Sequence, residues 1–200
     1  MVIARAVGVD SASPQPEPSI RRVDQLSIGE LEYLTALLVS CVTQGASLSF
    51  HAPLAADAAR NWWAGVPQDG VILLVAEREG RVVGTVQLQP AESENGAHRG
   101  EVAKLLVHPS WRRQGIGRAL MIALENEARA AGKTLLVLDT REGDSSNDLY
   151  RTLGYREAGH IPGWTRDGAD TPSATVFWYK PLESPSKIDA GPGTGAHAPS

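Results

Sequence analysis

Residues 111 to 118 read Trp-Arg-Arg-Gln-Gly-Ile-Gly-Arg and place two glycines one residue apart among three arginines and a glutamine. The next residues place Ile116, Leu120, Leu124 and Ala128 on one stripe, so the glycines stand at the start of a helix. A helix start carries unpaired N–H groups and a partial positive charge, and acidic residues normally favour it. Here Arg112, Arg113 and Arg118 crowd the first turn, and no acid follows until Glu125. That costs about a few tenths of a kcal/mol per charge unless an anion binds there. Gly115 and Gly117 let the backbone approach closely, so Arg112, Arg113, Gln114, Gly115, Gly117 and Arg118 form a candidate phosphate or pyrophosphate cradle. A plain capping turn is the alternative reading. A Walker loop would need Gly-Lys-Ser/Thr, which is missing, and a dinucleotide fingerprint would need a third glycine where Leu120 stands.

A second candidate is Asp139, at the end of the apolar run TLLVLDT. Carboxylates at strand C-termini of open α/β sheets often face the ligand crevice, although such a residue also caps turns. The one cysteine, Cys41, lies in a helical pattern with Leu37, Leu38 and Val42; it excludes an internal disulfide and reads as a small core residue.

The chain that must position these groups has 200 residues, 42% of them hydrophobic and 21% charged. That supports one core, not two. A net charge of −4 gives no global attraction to nucleic acid or an anionic membrane, so an anion site must be local. No run approaches a membrane span, and the N-terminus lacks a sustained apolar core, so a cytoplasmic protein is expected. Residues 1–19 and 183–200 are rich in Pro, Ser and Gly and are expected to be disordered, leaving 20–182 as one domain.

Within it the periodicity predicts two early helices, one through Leu31, Leu34, Leu38 and Cys41, the other from Leu54 to Val66. VILLVAERE and RVVGTVQLQ form a hairpin turning at Glu79-Gly80, with Gly84 hinting at a bulge. EVAKLLVH is a further strand, broken by Pro109, and leads through the arginine loop to the helix that stops at Gly132. TLLVLDT reads as a buried central strand, Ser145 to Leu153 as a short helix, and ATVFWYKPL as the last strand. The order implies a three-layer α/β (α+β) domain with a mixed sheet flanked by helices.

Arg112-x-x-Gly115-x-Gly117 after a strand resembles the coenzyme A signature of the GNAT superfamily of N-acetyltransferases. LLVHPSWRRQGIGRALM is similar to that superfamily's strand, pyrophosphate loop and helix, and NDLYRTLGYREAG to its later helix and return strand. GASLSF, EVAKLLV, LDTREG and PGW look closest to tabtoxin-resistance-type acetyltransferases. The resemblance implies a GNAT fold with six to seven strands, splayed at the cofactor site. It also implies acetyl-CoA as cosubstrate with no metal.

It assigns further residues. Leu106 and Val107 would pair their backbone with the pantetheine arm, and the stretch Arg112 to Arg118, Ile116 included, would hold the pyrophosphate. Tyr150 would donate a proton toward the leaving sulfur and contact the coenzyme; Asn147, on the same helical face, would bond the coenzyme arm. Glu101 is where several such enzymes carry a general base, with Asp139 as its rival. An amine of pKa about 10 must lose a proton before attack, whereas a thiolate of pKa about 8.5 needs little help to leave. His108, before Pro109, reads as structural or near the coenzyme.

The acceptor is expected to be a primary amine on a small amino-acid-like or toxin-like molecule, bound near SLSFHAP, Trp62, Trp63 and the segment HIPGWTRDGADTPS with its Trp164. A protein N-terminus or lysine, or a non-catalytic acetyl-CoA sensor, are the alternatives. A homodimer is left open.

Overall fold

The computed structural model describes residues 17–46, 50–166 and 170–182. The expected tails therefore fall almost wholly outside the described residues. One correction applies: Ser19, assigned to the N-terminal tail, opens strand β1 (Ser19–Val23), whose polar SIRRV sequence carries no clear strand alternation.

Helices α1 (Ile28–Thr43) and α2 (Ala56–Ala64) follow. Ser27 and Glu30 close a capping box at the start of α1, satisfying two orphan donors. Helix α2 is shorter at both ends than the Leu54 to Val66 pattern. The hairpin β2 (Ile72–Arg78) and β3 (Arg81–Pro90) turns at Glu79-Gly80, both at positive φ (52° and 71°), as a twist-matched two-residue turn demands. The bulge that Gly84 hinted at is present: Ala76 pairs with Gly84 but Glu77 with Val82, leaving Val83 as the extra residue. At Gly84 a Cβ would lie 3.0 Å from the Leu106 carbonyl and 3.1 Å from Ile116, so glycine there permits close helix–sheet packing.

Strand β4 (Arg99–Val107), helix α3 (Ile116–Ala130), strand β5 (Leu135–Arg141) and helix α4 (Ser146–Thr152) form the centre, and β6 (Arg156–Arg166) and β7 (Pro172–Pro181) close the sheet. The seven strands run in the order β1-β2-β3-β4-β5-β7-β6, with the β4–β5 pair parallel and its neighbours antiparallel. Helices α3 and α4 cover one face over a core that includes Leu120, Met121, Leu124, Leu136 and Trp178. Helices α1 and α2 cover the other, around Leu34, Leu38, Trp63, Leu73 and Leu106. The three-layer mixed sheet is thus as the sequence implies.

One irregularity opens the molecule. Parallel pairing between β4 and β5 stops at Glu101↔Val137, although both strands continue for several residues. A second bulge adds to it: Thr85 pairs with Leu106 but Gln87 with Ala103, and Lys104 takes a φ of 52°. The two strands diverge, and their unpaired edges face a gap.

Candidate active site

The gap is the neck of a cleft of about 1070 Å³ running from the α3 N-terminus to the face under α1. Gly115 caps α3 in the left-handed conformation (φ 81°), a geometry that costs a Cβ-bearing residue about 1–2 kcal/mol. A Cβ on Gly115 would meet nothing within 4 Å, so the space above it is open. Arg113 also takes a positive φ, 63°, folding the loop around that space. The first helical N–H with a backbone acceptor is that of Ala119, bonded to the Gly115 carbonyl at 3.0 Å, so the N–H groups of Ile116, Gly117 and Arg118 precede the ladder. Gly117 is tight: a Cβ would lie 3.3 Å from Leu149 and 3.8 Å from Val107, leaving little room between α3, β4 and α4. Open space, exposed arginines and unladdered N–H groups suit a pyrophosphate.

Three of the cradle's side chains are turned elsewhere. Arg112 Nε donates to the Val107 carbonyl at 3.2 Å, and its Nη2 lies 3.8 Å from Cys41 Sγ, so this guanidinium braces the splayed strand. Gln114 accepts from Arg78 Nη1 at 3.0 Å and donates to the Ser110 carbonyl at 3.3 Å. Any part it plays at the cradle is through its backbone. Arg118 Nη2 donates to the Thr152 hydroxyl at 2.8 Å, tying α3 to α4 at the rim. Ile116 is a core side chain, only 1% exposed, and offers its N–H alone. Leu106 is likewise buried, and His108 is structural, its Nδ1 accepting from the Ser110 N–H.

Beneath the cradle, Tyr150 of α4 lines the cleft. Its ring packs near Tyr155 and Trp178, with centroids 5.8 and 6.3 Å away, and its hydroxyl hydrogen-bonds Ser146 one turn earlier. Burial pushes its phenol well above the usual range, so it stays protonated as a donor. Asn147 departs from expectation. Its amide nitrogen donates to the Arg141 and Asp144 carbonyls at 3.1 and 2.8 Å, and its oxygen accepts from Trp178 Nε1 at 3.1 Å. The side chain is committed to anchoring α4 and does not reach the cleft; a polar residue one turn before Tyr150 was bound to look like a ligand group in the sequence.

Across the neck stand Glu101 and Asp139, on adjacent strands and on the face opposite Leu136 and Leu138. Partial burial raises the Glu101 carboxyl, and the nearby Asp139 charge raises it further. Asp139 is also raised by partial burial, against the pull of Lys104. Lys104 is held below its ordinary value by burial, opposed by both carboxylates. Its ammonium lies 5.4 and 5.8 Å from the Trp62 and Phe50 ring centres. In the sequence Lys104 stands out only as one charge inside the apolar run VAKLLV.

The expected acceptor segments divide. Trp62 packs edge-on against Phe50 beside Lys104, whereas Trp63 is fully buried core and lines nothing. Trp164 is 54% exposed and stacks edge-on against Phe177. Residues 47–49 and 167–169 of the named segments lie outside the described residues.

A family model, acetyltransferase (GNAT) family, matches residues 35–155, and the chain belongs to that family. It is 35% identical over 129 residues to an uncharacterized N-acetyltransferase from the hisH-hisA intergenic region of Azospirillum brasilense, covering 62% of this chain and 76% of that protein. Among solved structures, a ribosomal-protein-alanine N-acetyltransferase from Brucella melitensis superposes with TM-score 0.71 at 27% identity, covering 82% of this chain and 99% of that one. A phosphinothricin acetyltransferase from Sinorhizobium meliloti, solved with acetyl-CoA, has the same fold (TM-score 0.72, 20% identity, 89% and 95% covered).

Proposed function

We propose that the protein transfers an acetyl group from acetyl-CoA to a primary amine of a small amino-acid-like acceptor. The observation that carries this is the single cleft in which the cradle, the splayed strand edge, Tyr150 and the Glu101–Asp139 pair meet. The tabtoxin-resistance-type resemblance of GASLSF, EVAKLLV, LDTREG and PGW belongs to the same reading.

The donor supplies an activated thioester; the chain holds it and moves protons. The unladdered N–H groups of Ile116, Gly117 and Arg118 and the charge of Arg113 hold the pyrophosphate. The open edge of β4 between Ala103 and Val107 holds the pantetheine arm as an added strand would. A strand N–H at the bulge near Lys104 stabilises the developing oxyanion. Asp139 or Glu101 takes the proton of the attacking amine, and their raised carboxyls are better bases than ordinary ones. As the C–N bond forms and the C–S bond breaks, the electron pair leaves on sulfur. A phenol harder to ionise than the thiol it faces does not surrender its proton outright, so Tyr150 stabilises the thiolate through a hydrogen bond.

The test is release of free thiol from acetyl-CoA against amino acids, polyamines, aminoglycosides and peptides. Binding of acetyl-CoA without thiol release for any of them would replace the enzyme by a sensor. Gly117→Glu should abolish acetyl-CoA binding, because its Cβ meets Leu149 and its charge opposes the phosphates. Unchanged affinity in that variant would remove the cradle assignment.

A further inference from the structure

The cleft does not end at Asp139. Beyond it lies a lobe of about 90 Å³, and Gly45, Ala46 and Arg141 line both. Arg141 follows Asp139 by two positions on β5, so the two side chains share a face roughly 7 Å apart along the strand. The sheet carries the lobe onward: Arg141 pairs with Thr175 of β7, and Ser173 of β7 pairs with Thr165 of β6.

The chemistry of this lobe is opposite to that of the neck. Glu101 and Asp139 make the neck acidic, although Lys104 stands close to them. The lobe is lined by Arg141 and Arg166, the hydroxyl residues Thr165 and Ser173, and His51. Arg141 Nη2 donates to the Gly45 carbonyl at 3.0 Å, and among the described residues its one carboxylate partner, Asp144, is 4.0 Å away. A guanidinium has five donors, so most of this fork remains for a ligand. Arg166 is paired with Asp170 at 3.0 Å and contributes less. The Thr165 hydroxyl is buried with no hydrogen-bond partner among the described residues, a condition that native structures seldom leave unmet. A planar bidentate anion the size of a carboxylate fits both the volume and the donors.

We propose that this lobe is a carboxylate subsite, in which Arg141 holds the carboxylate of an amino-acid acceptor while its amine faces Glu101 and Asp139. The subsite rests on the reading of the cleft as an amine acetylation site. It explains why base and cation stand two residues apart on one strand: an acceptor pinned at its carboxylate presents its amine at a fixed distance. Arg141 acts as a specificity residue and has no part in proton transfer.

The experiment compares amino acids with their decarboxylated amines in the thiol-release assay: leucine with 3-methylbutylamine, phenylalanine with phenethylamine, histidine with histamine. Rates are compared per unit of free base, since the members of each pair differ in amine pKa. At least one amino acid should exceed its amine by about tenfold or more in kcat/KM. In Arg141→Met that ratio should fall to about one, and in Arg141→Lys it should recover in part. Thermal melting of both variants checks that the Gly45 contact has not cost the fold. Equal rates within every wild-type pair, or an undiminished ratio in Arg141→Met, overturn the subsite while leaving the transferase intact. Thiol release from none of the pairs, with acetyl-CoA bound, overturns the small-amine acceptor and the subsite together.

Discussion

At the scale of single residues, the neck contains three ionisable groups whose environments pull against one another. Tyr150 and Asp139 line the same cleft in different proposed roles, and each makes a separable prediction. Tyr150→Phe keeps the ring contacts with Tyr155 and Trp178 and removes only the hydroxyl. Turnover should fall roughly 100-fold while acetyl-CoA affinity holds, which steady-state kinetics beside a binding titration will resolve. Asp139→Asn should cost a similar factor and also change the pH profile. In the wild type, activity should rise with pH through a carboxyl above its ordinary range. Removing the Asp139 charge takes away one of the two causes that raise Glu101, so the residual activity's acid limb should move to lower pH. Stability carries the opposite sign. A carboxyl raised in the fold binds its proton more tightly than in the unfolded chain, so stability is lost as pH rises from about 4 through the raised value. Asp139→Asn should therefore melt higher than wild type at pH 8, and the gain should vanish near pH 3. A lower melting temperature at pH 8 would place Asp139 in a structural role.

At the scale of elements, what was legible depended on whether the signal was local. The α3 stripe, the Glu79-Gly80 turn and the arginine-glycine loop are each written in a few consecutive residues, and the structure has all three. Glu101 and Tyr150 were legible through motif resemblance and Asp139 from its place at the end of an apolar strand, and the structure brings them into one cleft. The commitment of Asn147 to Trp178 and two carbonyls depends on pairings between β5, α4 and β7, which no local pattern encodes. Strand β1 was missed because an edge strand needs no alternation when its one neighbour supplies the ladder. Arg78 is the plainest case of a distant contact. It sits at the end of β2, only 7% exposed, stacked 5.7 Å from Trp111 and bonded to Gln114, with no carboxylate in salt-bridge range among the described residues. It fixes the loop from behind and adds a buried positive charge beside the cradle. Arg78→Met should raise the KM for acetyl-CoA about tenfold with a smaller change in kcat, and weaken its salt dependence. A change confined to kcat would show that the loop does not need this support.

At the scale of the whole molecule, the sheet separates two jobs. In the proposed reading, helices α3 and α4 shape the donor side, the end of α1 and the β6–β7 hairpin border the acceptor lobe, and the splay is where the two communicate. Such a division needs the donor helices held rigidly to the far half of the sheet, since no hydrogen-bonded ladder joins β4 to β5 beyond Glu101. Lys180 of β7 does this: its ammonium lies 2.7 Å from both Glu125 oxygens on α3 and 2.7 Å from the Leu153 carbonyl that ends α4. Glu125 is 6% exposed and also lies 3.5 Å from Arg129, whereas the Lys180 side chain is 20% exposed and lies 5.4 Å from the Tyr155 ring centre. Removing one member leaves the other's charge poorly solvated, at a cost of about 3 kcal/mol. Glu125→Gln should therefore lower the melting temperature by roughly 6–12 °C, since 1 kcal/mol corresponds to about 2–4 °C at this size. Replacing both partners, as Glu125→Gln with Lys180→Met, should recover much of that loss, because no buried charge is left unpaired. Calorimetry on the two single variants and the double variant measures the coupling. Additive losses would mean that the far half of the sheet is fastened by packing alone.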